Sequence, residues 1–205
     1  SDPNIDAVVA CLPWNVSESW LPNLLASPKQ VLLEKPIALC SQAISDAMEQ
    51  SQGTLQNKYV GFNRRFYRTV QKLKERIEEG GIKNVEITIP ETVAGLASTY
   101  GEEIIDHILA YSSCHTLDTA IHILGDLQPI HVYGRQDSGY PRPFRSISGV
   151  LETKQGAPVF LTIMGDNAAP MGIRVYFDDQ TTWHLSPLEH LVAYKGYDIV
   201  EPTGD

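Results

Sequence analysis

No two of the fifteen glycines stand at positions i and i+2, so the chain has no Gly-x-Gly-x-x-Gly loop to hold a pyrophosphate on a helix N-terminus. Cysteine is scarce: Cys11, Cys40 and Cys114 are scattered, without the paired spacing of a zinc ribbon or a secreted disulfide framework, which points to a reducing, cytoplasmic setting. No apolar stretch approaches the length that spans a bilayer, so no membrane partner is expected. Net positive charge is lacking too. A formal charge of −9 argues against nucleic acid or an anionic membrane surface as partner, and Asn63-Arg64-Arg65 with Arg68 is the only basic patch near a candidate site. There is no internal repeat or low-complexity segment. There is also no initiator methionine: Ser1-Asp2-Pro3-Asn4 reads as a turn leading straight into a strand, so the sequence is expected to begin inside a domain.

What is present is ordinary globular material, 42% hydrophobic and 20% charged over 205 residues, enough for one large domain or two small ones. Ile5 to Leu12 and Gln30 to Leu33 are short apolar runs, and the stretch from Val16 to Ala26 between them suits a helix. Together they predict a βαβ unit with parallel strands, whose carboxyl ends share the edge where open α/β sheets bind ligands. Leu12-Pro13-Trp14-Asn15 and Glu34-Lys35-Pro36 are therefore expected to face one crevice. Ser41 can cap a helix through Gln52, and Lys58 to Phe62 reads as a third strand of the same sheet.

Beyond Asn63 the pattern changes. An amphipathic helix is predicted from Arg65 to Glu79, with Phe66, Val70, Leu73 and Ile77 on one face and Gly80-Gly81 ending it. Strand-like runs then follow at Val85–Ile89, Ile130–Gly134, Ile147–Glu152, Pro158–Met164, Ile173–Phe177 and Thr181–Leu185, with Asp178-Asp179-Gln180 as a hairpin turn. Tyr194 to Pro202 reads as a last strand, and Gly204-Asp205 is not an obvious natural end. One helix, His115 to Leu124, interrupts the series. The second domain is thus read as α+β with a mainly antiparallel sheet.

On that helix His115, Asp118 and His122 share a face, opposite an expected apolar stripe of Leu117, Ile121 and Leu124. At a helix N-terminus the positive end of the dipole disfavours imidazolium and would keep His115 available as a neutral base. Cys114, His115, Asp118 and His122 match no common zinc spacing, so no metal site is expected.

The order of apolar strand, Pro13 turn, helix, Glu34-Lys35-Pro36, strand, Gly61-Phe62-Asn63-Arg64-Arg65-Phe66, then His115-x-x-Asp118 with Leu124-Gly125 resembles the glucose-fructose oxidoreductase, inositol dehydrogenase and MocA family over essentially the whole chain. The resemblance implies that residues 1–62 are the C-terminal part of a Rossmann domain binding NAD or NADP. It implies that residues 63–205 form an α/β domain whose open sheet supports the substrate site and a homo-oligomer interface. The activity implied is hydride transfer between nicotinamide and a carbinol carbon of a sugar, polyol or sugar derivative. Carried over by motif, Lys35 and His115 are the catalytic pair, and Leu12, Pro13, Asn15, Glu34, Lys35 and Pro36 border the nicotinamide and its ribose. Lys35, Asn63, Arg64, Tyr111, His115 and Asp118 face the substrate. Two features depart from the family: Tyr111 stands where an aspartate is often found four residues before the histidine, and the glycine loop is absent, so the chain as written is not expected to bind a dinucleotide well.

The chemistry asks for the same residue types. Hydride transfer needs the carbinol carbon about 3–3.5 Å from its acceptor while another group handles the hydroxyl proton. Lys35 is suited to that proton and His115 to sharing or relaying it, the two being expected to converge on one cleft, while Asp118 is better suited to orienting a neighbour. Each has a bland rival: a strand-end lysine can simply be solvated, a histidine at a helix start can be satisfied by backbone, Trp14 can be a lid over the core, and Arg65 and Arg68 can pair with acidic neighbours. A non-catalytic sugar or dinucleotide sensor on the same fold is the alternative, since fold alone does not settle activity.

Overall fold

The computed structural model of the chain describes residues 2–51, 55–135 and 145–204, the side chains of 201–204 excepted. It divides into two units, Ser1–Phe62 with His107–Tyr111, and Asn63–Asp106 with Ser112–Asp205. The expected end of the second helix at Gln52 and the chain ends Ser1 and Asp205 lie outside the described residues.

In the first unit three short strands, β1 (Ala7–Ala10), β2 (Gln30–Leu33) and β3 (Lys58–Val60), form a parallel sheet in the order β1-β2-β3. Helix α1 (Trp14–Ala26) makes the first crossover and α2 (Ser41–Ser51) lies in the second. The period of two along β2 sends Val31 and Leu33 inward, where they meet Leu21 and Leu25 of α1 and Ala47 of α2. The opposite face carries the cross-strand row Val9, Leu32 and Tyr59, all exposed.

The second unit is built on eight strands in the order β11-β10-β9-β8-β4-β7-β6-β5. These are β4 (Ile82–Glu91), β5 (Leu127–Arg135), β6 (Ser146–Thr153), β7 (Pro158–Gly165), β8 (Gly172–Phe177), β9 (Thr181–Leu185), β10 (His190–Lys195) and β11 (Asp198–Gly204). Only β4 and β7 pair in parallel; the other neighbours are antiparallel, with Asp178 to Gln180 turning β8 into β9. Val85, Ile87 and Ile89 of β4 and Val159, Leu161 and Ile163 of β7 alternate inward. Against them pack Val70 and Leu73 from α3 (Arg68–Glu78), and Ala120, Ile123 and Leu124 from α5 (Cys114–Leu124).

Four expectations are corrected. Phe66 is 82% exposed and takes no part in the face of α3. A 3-10 turn occupies Asn63–Phe66 and Tyr67 is extended at φ −65° and ψ 135°, so the helical register that includes Val70 and Leu73 begins only at Arg68. The core stripe of α5 is Thr116, Thr119, Ala120, Ile123 and Leu124, while Ile121 is 48% exposed. That stripe follows helical spacing, but its small members hide it from a search for large apolar residues, and they let the helix approach the sheet closely. Thr119 contributes its methyl to the core because its hydroxyl donates to the His115 carbonyl at 2.8 Å. A further helix, α4 (Val93–Tyr100), a 3-10 turn at Glu102–His107 and a π turn at Leu109–Ser113 separate β4 from α5, where a single helix is expected. Finally, the expected last strand is the end of β10 and the start of β11, joined by a turn at Gly196.

Gly172, at the start of β8, lies close to the end of β9: a Cβ there would stand 2.5 Å from the Leu185 carbonyl oxygen. Gly172→Ala is expected to destabilise the protein by about 1–3 kcal/mol in a denaturant titration, through overpacking against backbone. Gly134→Ala, with nothing within 4 Å of the new methyl, is expected to stay within about 0.5 kcal/mol of the parent.

Candidate active site

The site of the first unit begins with the ends of β1 and β2. Pro13 starts α1, and its carbonyl accepts from the amides of Val16 (2.9 Å) and Ser17 (3.1 Å) and from the Ser17 hydroxyl (3.1 Å). Leu12 is half-buried, whereas Pro13 and Asn15 are exposed at that turn. One strand over, the Glu34 amide donates to the Ala10 carbonyl at 3.0 Å, extending the parallel ladder one residue past β2. Lys35 therefore leaves the sheet from a fixed backbone. The Glu34 carboxylate folds back to accept from the Lys35 amide at 3.2 Å, and Pro36 is buried.

The half-buried Lys35 ammonium donates to the main-chain carbonyl of Tyr111 at 2.9 Å and lies 5.0 Å from the centroid of the Tyr111 ring. A cation over an aromatic face is worth about 0.5–1 kcal/mol at a partly exposed site. Nearby in the same unit, the Trp14 ring stands 6.0 Å from the His107 ring, tilted by 41°. The sequence holds no sign of either contact, because the partner of Lys35 is a backbone oxygen and His107 lies in an irregular stretch.

In the second unit His115 is half-buried on α5, but not at an open helix end. The residues before it belong to continuous helical winding: Ser113 is itself helical at φ −61° and ψ −23°, and residues Leu109–Ser113 form the π turn. The positive end of the helix therefore lies upstream of His115 and not at it, as the sequence had suggested. Both oxygens of Asp118 are taken by the Arg65 fork, Nε at 2.8 Å and Nη2 closer still. This is bidentate pairing, the strong form of charge-assisted hydrogen bond. Asn63 is exposed at the start of the 3-10 turn, and Arg64 points its guanidinium at the Met171 sulfur, 3.7 Å away.

Two further features lie on β4, and its alternation predicts their sides. Glu91 continues the inward series Val85, Ile87, Ile89; it is buried and accepts from the Ser113 hydroxyl. Glu86 faces the other way and accepts from Arg174 at 3.2 Å, and Arg174 in turn lies 3.5 Å from His184 Nδ1. With Thr88, Pro170 and Gly172 these three line a cavity of about 110 Å³.

No family model matches the chain. It is similar to the myo-inositol 2-dehydrogenase of Thermotoga maritima, 36% identical over 81 residues that make up 40% of this chain and 24% of that protein. It is also similar to the inositol 2-dehydrogenase of Rhizobium meliloti, 25% identical over 166 residues, 78% of this chain and 50% of that one. The chain thus spans half or less of the length of these curated relatives. An inositol dehydrogenase homolog from Azotobacter vinelandii, solved with NADH and myo-inositol, shares the fold with a TM-score of 0.76 at 16% identity, over 99% of this chain and 57% of that one.

Burial, then the positive charges of Lys74 and Arg65, hold His122 below the ordinary histidine range against the opposing pull of Asp118. Burial and Arg174 do the same to His184. Both groups bind protons less readily folded than unfolded, so the stability they contribute is complete above about pH 6.5 and is lost as pH falls through their folded values. Denaturant midpoints are expected to drop on acidification below about pH 6.5, and His122→Gln should flatten part of that slope.

Proposed function

We propose that the chain belongs to the glucose-fructose oxidoreductase, inositol dehydrogenase and MocA family, and that the protein is an oxidoreductase moving a hydride between NAD or NADP and a carbinol carbon of a sugar, polyol or sugar derivative. The observation that supports this most is Lys35, placed by the parallel ladder at the carboxyl edge of the sheet with its ammonium held in one direction.

The residues present fit the nicotinamide end of a dinucleotide. Leu12, Pro13 and Asn15 follow β1, and Glu34, Lys35 and Pro36 follow the adjacent β2 at the same edge, with Asn15 and Glu34 exposed there as polar partners for an amide and a ribose. They do not include a glycine cradle for the pyrophosphate. When bound, nicotinamide supplies the hydride acceptor or donor. Moving the proton falls to the protein. Lys35 takes it from the substrate hydroxyl during oxidation and returns it during reduction, and His115 shares or relays it. Asn63, Arg64, Tyr111 and Asp118 are proposed to bound the substrate, Asp118 through the Arg65 guanidinium that it fixes. A sensor on the same fold is the second reading. It is favoured by one observation, that among the described residues the polar and aromatic partners of the Lys35 ammonium are neutral groups of Tyr111.

The outer face of the eight-stranded sheet supports a homo-oligomer. Helices α3 and α5 cover the other face, while Phe160 is 46% exposed beside Glu86 and Val150. Phe160→Glu is expected to shift sedimentation toward the monomer without changing the unfolding midpoint by more than about 0.5 kcal/mol equivalent.

Binding is tested by titrating the protein with NADH and NADPH, and turnover by following nicotinamide absorbance with a panel of sugars, polyols and their derivatives. Lys35→Ala is expected to lower kcat by about 10²- to 10⁴-fold with dinucleotide affinity retained, and His115→Ala to lower it less. Wild-type protein that binds dinucleotide and a sugar yet transfers no hydride would replace the enzyme reading with the sensor.

A further inference from the structure

The Lys35 ammonium has a definite direction but, among the described residues, no counter-charge. Its contacts are the Tyr111 carbonyl at 2.9 Å and the Tyr111 ring at 5.0 Å, and among the described residues no carboxylate forms an ion pair with it. Both contacts come from one residue in the π turn Leu109–Ser113, a kind of irregular winding often found at functional sites. We propose that Tyr111 is the positioning residue of Lys35, its backbone carbonyl aiming the ammonium and its ring face sheltering it, in the role that a carboxylate would otherwise fill. The inference rests on Lys35 as the proton-handling group of the proposed reaction.

The two contacts divide the work. An ammonium has three donors, and the carbonyl occupies one along a fixed line, which leaves two for a substrate hydroxyl. A carbonyl dipole and a ring quadrupole attract a cation without neutralising it, so the lysine stays a strong electrostatic partner for an alkoxide. A carboxylate at the same place would compete with that alkoxide. The carbonyl is present whatever residue stands at 111; the ring is not.

The test uses reductive ¹³C-dimethylation of the lysines, which preserves their charge and one donor, with the Lys35 resonance identified by its loss in Lys35→Arg. Wild type and Tyr111→Phe are expected to show this resonance displaced upfield by the ring current, and Tyr111→Leu to return it to the position of solvated lysines. In turnover, Tyr111→Leu should lower kcat roughly tenfold or more with dinucleotide affinity unchanged. A Lys35 resonance at the solvated position in the wild type, or one that Tyr111→Leu leaves in place, overturns the proposal, and neither outcome depends on the leucine variant being active. A displaced resonance in a protein that turns over no substrate upholds the contact and instead rejects the oxidoreductase reading.

Discussion

Two adjacent parallel strands must deliver their C-terminal loops to the same edge of the sheet, and the first unit depends on that constraint. In the register Ala10↔Leu33 the ladder runs one residue further, through the Glu34 amide to the Ala10 carbonyl, while on the other side the Gly61 amide donates to the Leu33 carbonyl at 2.8 Å. The backbone leading into Lys35 is thus tied from both neighbouring strands. Ordering a lysine side chain costs about 1.5–2 kcal/mol of rotamer entropy. A hydrogen bond from a charged donor contributes about 1.5–3 kcal/mol and the aromatic face a little more, so the two Tyr111 contacts suffice to hold the ammonium. With a mobile backbone they would not.

In the second unit β4 plays the corresponding part, paired with β7 on one side and β8 on the other. Its alternation sends one carboxylate to each face. Glu91 goes inward, where a carboxylate without partners would be costly, and the Ser113 hydroxyl reduces that cost while tying the strand to the start of α5. Glu86 goes outward and remains half-exposed, so its pairing with Arg174 contributes little stability and mainly arranges charge around the cavity.

How much of this is legible in the sequence depends on the kind of signal each element carries. The short apolar runs of β1, β2 and β3 and the strong stripe of Val70 and Leu73 are patterns of apolar residues, the hairpin at Asp178 to Gln180 is a polar turn signal, and all survive into the structure. The face of α5 does not read that way, because Thr116, Thr119 and Ala120 bury small side chains while Ile121 lies outside. Helix α4 is made mostly of small residues with only Val93 buried, so it offers no stripe, and the 3-10 and π windings after it follow neither period. Helical spacing places Asp118 on the polar face of α5. Its engagement by Arg65, fifty-three residues away in sequence, is a tertiary contact that local pattern cannot announce.

The hold on Lys35 is hidden from the sequence for a different reason, and that reason bears on how such a site tolerates change. A side-chain partner must be the right residue, and replacing it breaks the contact. A backbone carbonyl asks only that the chain take the right path, which here is set by the π turn and not by the chemistry of position 111. The same logic governs the fold as a whole: 16% identity with a TM-score of 0.76 is what results when most constraints fall on periodicity, turn geometry and backbone pairing. At position 111 the carbonyl thus supplies half of the lysine's anchor through the path of the chain alone. The ring supplies the other half by a different physical interaction, which attracts the ammonium without cancelling its charge.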